Sequence, residues 1–135
     1  MATTTCAISI TSPDIMSSQP VNISRSATLK QAGKANLGVE STTGLAMKTL
    51  ESTSKVDLIT YDNDDISGNA AKFYIRNTSS SSTQYVTILI NSEEVARLYG
   101  GDFAFMPYTG GSNEDIEVQP STSAKVILEY IENYI

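Results

Sequence analysis

Histidine and tryptophan are absent from this chain, cysteine occurs once, and only 18% of the residues are charged. Each shortage excludes something. Without histidine there is no ordinary general base, no usual partner for a serine or cysteine nucleophile, and no favoured zinc ligand. Most hydrolase templates therefore fail, no catalytic residue is assigned, and an enzyme is not expected. Cys6 has no second cysteine to pair with and no basic neighbour to activate its thiol. No apolar run approaches the roughly 20 residues that cross a bilayer as a helix. The opening MATTTCAISI lacks the basic and apolar regions of a secretory signal. A soluble chain in a reducing compartment is expected, so the sequons at Asn22 and Asn77 read as chance matches. The net charge of −6 and pI near 4.5 would repel phosphate backbones and anionic membranes. Neither nucleic acid nor membrane is an expected partner.

What is present is Ser, Thr and a dense set of β-formers. The 135 residues suffice for one domain with a real core. Composition changes near residue 55, from Thr, Ser, Ala and Gly to Val, Ile, Tyr and Phe, which places the core mainly after Lys55. Residues 6–11 (Ile8, Ile10) and 21–29 (Val21, Ile23, Ala27, Leu29) alternate at period two, as edge or half-buried strands do. Residues 30–43, KQAGKANLGVESTT, lose that period and predict an irregular crossing segment.

Short apolar runs then follow at 45–50, 55–60, 72–77, 85–90, 94–99, 102–108, 115–118 and 124–135. Their β-branched and aromatic content, bounded by turns, predicts an all-β antiparallel β-sandwich, jelly-roll-like or immunoglobulin-like. The sandwich spans 41–135 and is preceded by a partly extended N-terminal arm, 1–40. The arm either docks on a partner or supplies the sandwich's first strands. Phe73, Ile75, Val86, Ile88 and Ile90 are the expected core. The run NTSSSSTQ, 77–84, reads as the tip of a hairpin joining the strands at 72–77 and 85–90, its small polar side chains bonding their own backbone. The last run fits a helical face through Val126, Ile127, Tyr130, Ile131 and Tyr134, but its Ile, Val and Tyr content favours a strand.

Acidic loops are the remaining place for chemistry. YDNDDISGN, 61–69, permits a partial calcium-loop register, but Tyr74 stands where a bidentate glutamate is required, so a solvated turn is expected and no metal. GGSNEDIE, 110–117, reads likewise as a soluble turn. Glycosidase-like pairs among Asp102, Glu114 and Asp115 have no spacing to support them. RLYGGDFAFMPY, 97–108, is different. After a tight turn at Gly100 and Gly101 it is almost purely apolar, either a core strand or a surface covered by another subunit. Phe103 and Phe105 share one face, Met106 and Tyr108 the other. With Tyr99 these five residues are the candidate interface. Exposed aromatics could also stack on sugar rings, as in a carbohydrate-binding module.

The segments Tyr74 to Thr78, Tyr85 to Ile88, Ala96 to Leu98, Gly101 to Ala104, Pro107 to Tyr108, Asp115 to Ile116 and Leu128 to Tyr130 follow in an order that resembles small structural proteins of tailed phages, especially those of cyanobacteria. The Thr-rich opening and TTGLAMKT, 42–49, are similar to the same proteins. The resemblance implies a virion component assembled in the bacterial cytoplasm, of the head decoration or cement kind. It would bind the major capsid protein or other virion proteins as a homo-oligomer, a trimer being favoured, with no cofactor and no catalytic residue. A tail, neck or fibre component is the alternative location.

Overall fold

A computed structural model describes residues 3–15, 20–31, 34–39, 41–60, 70–109 and 114–134. These form thirteen strands and no helix: β1 (Thr5–Ser12), β2 (Val21–Thr28), β3 (Lys30–Gln31), β4 (Lys34–Gly38), β5 (Ser41–Thr42), β6 (Ala46–Leu50), β7 (Val56–Ile59), β8 (Ala70–Asn77), β9 (Tyr85–Ile90), β10 (Glu93–Tyr99), β11 (Phe103–Thr109), β12 (Ile116–Pro120) and β13 (Val126–Tyr134). Sheet I has the order β10-β9-β12-β7, and sheet II the order β11-β8-β13-β6, with β5 continuing beside β13 beyond β6. Every pairing is antiparallel.

From β6 onward the chain changes sheet at every connection except the β9–β10 hairpin. Eight strands wound in that way make a jelly roll. An immunoglobulin fold needs several hairpins within one sheet, so of the two expected sandwiches the jelly roll is the one formed. The β9–β10 hairpin turns through two residues, Asn91 and Ser92, with φ of 51° and 65°. Two positive φ values give a turn whose twist matches the flanking strands.

Alternation decides which side chains meet. Antiparallel partners share a face, so Ala104, Ile75, Tyr130 and Ala46 form one inward row across sheet II. Ala96, Ile88, Val118 and Val56 form its counterpart across sheet I. Phe73, Ile75, Val86 and Ile88 are at most 1% exposed, and Ile90 packs on them from a partly buried position. Each fully buried side chain of this kind contributes about 1.5–3 kcal/mol. The last run is the strand β13, with Val126 and Leu128 in the core.

Two expectations change. The described residues within 30–43 are not irregular: β3 pairs with β4, and β5 joins sheet II. Strands of two to five residues are too short to show a period, and their neighbours Leu29 and Val39 are buried all the same. The run 77–84 is not a hairpin tip either, because β8 lies in sheet II and β9 in sheet I. It is an arch between the sheets.

The β1–β2 hairpin pairs only with itself among the described residues, and it supplies no strand to either sheet of the sandwich. Its base is closed by the Leu29 amide donating to the Thr4 carbonyl at 2.8 Å. Nearby, Lys72 Nζ donates to the Lys30 carbonyl at 2.6 Å, which ties the arm's foot to sheet II. Burial lowers the Lys72 pKa.

Candidate functional site

The serine arch is held by its own side chains. Asn77, fully buried at its start, donates from Nδ2 to the Leu98 carbonyl at 3.0 Å and accepts from the Ser79 amide at 3.0 Å. Ser79 Oγ then accepts from the Ser81 amide, and Ser81 Oγ from the amides of Thr83 and Gln84. A chain leaving both sheets has no ladder partners, so short hydroxyl side chains satisfy its amides. Beneath the arch, the Asp102 amide donates to the Tyr99 carbonyl at 2.9 Å, with Gly101 at φ +91°, the geometry of a type II turn. Gly100 lies so close that a Cβ there would stand 2.4 Å from the Ser81 carbonyl oxygen. This end of the sandwich is closed by the arch packing on the turn.

The five candidate interface residues fall in three places. Phe103 and Phe105 face outward from sheet II, on either side of Tyr74, whose ring lies 6.2 Å from that of Phe103. Phe103 is 59% exposed, while Phe105 lines a groove with Cys6, Ile8, Ala27 and Leu29 of the arm. Met106 faces inward but remains partly exposed, because β11 is an edge strand. Tyr108 corrects the expectation. At 4% exposure it is a core residue, its ring edge-on to Phe73 at 6.1 Å and its hydroxyl donating to the Glu114 carbonyl. No partner can reach it. Tyr99 lies on sheet I instead, beside Tyr85 at 5.3 Å between centroids.

That outer face of sheet I is polar, and the reading of the sequence missed it. The Arg97 guanidinium lies 5.0 Å from the Tyr85 ring centroid and bonds Glu94 at 2.5 and 3.2 Å. Glu94 raises the Arg97 pKa. Gln119 Nε2 donates to the Thr53 carbonyl at 3.0 Å, and Lys55 pairs with Glu117 at 2.6 Å. A period-two reading extended to Tyr85, Arg97 and Tyr99 would have placed them on one face. These groups are paired with one another, and none is a nucleophile with a base beside it.

Asp102 Oδ2 accepts from the Tyr99 amide at 2.9 Å, so this carboxylate is engaged in the turn. The acidic run 61–69 lies outside the described residues, as do 110–113 of the second loop. Among the described residues no group of three or more His, Cys, Asp or Glu could hold a metal ion.

Across the outer face of sheet II, register places Phe103, Arg76, Glu129 and Met47 in one row and Phe105, Tyr74 and Ile131 in the next. Tyr74 links the rows by donating its hydroxyl to Glu129 Oε1 at 3.0 Å. Burial, reinforced by that carboxylate, raises the Tyr74 pKa above its ordinary 10.0. Above that pH the unfolded tyrosine releases its proton first, so stability declines as pH rises through this window. An alkaline absorbance titration should contain a late tyrosine component that is lost in Tyr74→Phe and moves to lower pH in Glu129→Gln. A titration unchanged by either substitution contradicts the pairing.

No protein-family model matches the chain, and no curated protein or solved structure is significantly similar to it.

Proposed function

We propose that this chain is a structural component of a tailed-phage virion, in the first place a head decoration protein that cements the major capsid lattice. The observation that supports it is a division of labour in the side chains. The polar groups of the arch, the turns and sheet I are engaged with one another, whereas Ile10, Leu45, Met47 and Phe103 stand exposed on the arm and on sheet II. Apolar side chains left in water on a closed sandwich suit a module that works by being covered. Cementing needs only complementarity spread over several subunits, multiplied by oligomerisation. The sequence resemblance points the same way, and a jelly roll is a frequent scaffold of capsid proteins, though a fold alone assigns no function.

The test is co-sedimentation of the purified protein with particles assembled from the major capsid protein encoded beside it. Saturable binding at a fixed ratio to capsid subunits supports decoration. Absence from heads, with labelled protein at the tail, neck or fibres, supports the alternative location. The polar face around Tyr85, Arg97 and Gln119 favours a second reading as a carbohydrate-binding module. Glycan-array binding lost in Tyr85→Ala would establish that reading in place of the first.

A further inference from the structure

The edge strands of the two sheets are not alike. β10 carries a bulge at Val95 and two glutamates, Glu93 and Glu94. β11 carries Pro107, and β7 is four residues long with a register shift between Asp57 and Ile59. Bulges, proline, charge and shortness are devices that keep a stray strand from adding to a sheet. β6 has no bulge and no proline, and its register with β13 is unbroken.

The free edge of β6 follows from the ladder. The Thr43 amide donates to the Glu132 carbonyl at 3.0 Å, and the Thr78 amide to the Ile127 carbonyl at 3.1 Å. Along β13 the even-numbered residues therefore turn their backbone groups toward β5 and β6, and the odd-numbered ones toward β8. Ala46, Lys48 and Leu50 stand opposite Tyr130, Leu128 and Val126, so these three bond to β13. Met47 and Thr49 point their N–H and C=O groups the other way, where no strand lies among the described residues. Each offers an added strand one donor and one acceptor.

Both sides of such a strand would meet something. On the outer side Met47 is 61% exposed. On the inner side a cleft of about 350 Å³ is lined by Lys48, Thr49, Leu50, Glu51 and Ser52 and, from β7, by Val56. Leu50 and Val56 make it apolar at depth. Lys48 lies inward and half-buried, with no ion pair among the described residues. Glu51 follows the strand and is exposed, so water and salt screen it. An inward lysine on an edge turns away an indiscriminate apolar strand and admits one that brings a carboxylate.

We infer that β6 is an acceptor edge for an extended segment of a partner protein, added antiparallel, whose side chains run apolar, any, acidic, apolar. The first packs on Leu50 and Val56 in the cleft, the acidic one meets Lys48, and the last covers Met47. The β6 of a second copy suits this edge poorly, because full overlap sets the two Lys48 side chains directly opposite each other. The inference goes beyond the virion reading, since it names the chemistry of the segment and not where its owner resides.

The probe is a capped, fluorescently labelled peptide, Thr-Val-Thr-Glu-Ile-Thr, with a counterpart that has lysine in place of the glutamate. Anisotropy with the full-length chain is expected to give a Kd on the order of 100 µM for the first and about tenfold weaker binding for the second. Lys48→Glu should reverse that preference. Thr49→Pro removes an N–H from the free edge and leaves the bonds to β13 in place, so it should abolish binding of both peptides with an unchanged circular dichroism spectrum. If Thr49→Pro does not fold, the charge reversal still decides. No binding to wild type up to about 1 mM, binding that survives in folded Thr49→Pro, or a preference that Lys48→Glu leaves unchanged overturns the inference. Self-association through β6 in place of peptide binding overturns it as well. Peptide binding by a chain that does not bind capsids would instead defeat the decoration reading and leave this one standing.

Discussion

Phe73→Ala should cost about 3–5 kcal/mol, a large fraction of the about 5–15 kcal/mol that stabilises an ordinary domain. Phe73 is fully buried at the middle of β8, the strand that joins β11 to β13, and its ring meets the edge of Tyr108. Truncation leaves a cavity bounded by strands from both sheets, which cannot collapse without shifting the sandwich. The urea midpoint is the measurement, and an unchanged slope with a much lower midpoint is the expected form. A midpoint within experimental error of wild type would mean that Phe73 does not lie between the sheets.

Gly100→Ala should be nearly as damaging, for a different reason. Its Cβ would stand 2.4 Å from the Ser81 carbonyl oxygen and 2.6 Å from that of Ser79. Both atoms belong to an arch pinned by Asn77, so no flexible side chain can yield. Overpacking costs about 1–3 kcal/mol in yielding surroundings, and more is expected against fixed backbone. The neighbouring glycine supplies the control. A Cβ on Gly101 meets nothing, and the cost there comes only from holding alanine at φ +91°, about 1–2 kcal/mol. Thermal or urea denaturation should therefore rank Gly100→Ala below Gly101→Ala. The reverse order would show that the arch does not rest on the turn.

The strands from β6 onward were legible because they alternate: Phe73, Ile75, Val86 and Ile88 could be set inside from sequence alone. Their partners were not. Seven polar residues after Asn77 look the same whether the chain folds back beside β8 or crosses to the other sheet, and only pairing with distant strands decides between them. The length of that run was a signal, since hairpin loops are usually two to five residues. The real hairpin turn, Asn91-Ser92, lacks the glycine that usually announces one. The candidate interface divided in the same way. Alternation separated Phe103 and Phe105 from Met106 and Tyr108, but which pair faces the core depends on the sheet packed opposite, and for Tyr108 that is Phe73.

The position of β13 also governs how the molecule comes into being. It is the last of the thirteen described strands, yet it lies in the interior of sheet II, hydrogen-bonded to β8 on one side and to β6 and β5 on the other. During synthesis β6 and β8 emerge early and have nothing between them to pair with. Phe73, Ile75 and Leu50 stay unsheltered until β13 arrives. Folding is therefore a late, concerted event dominated by contacts distant in sequence, with rates in the millisecond-to-second range typical of such topologies. Until β13 docks, the unpaired edges of β8 and β6 leave neighbouring copies of the chain as the chief hazard.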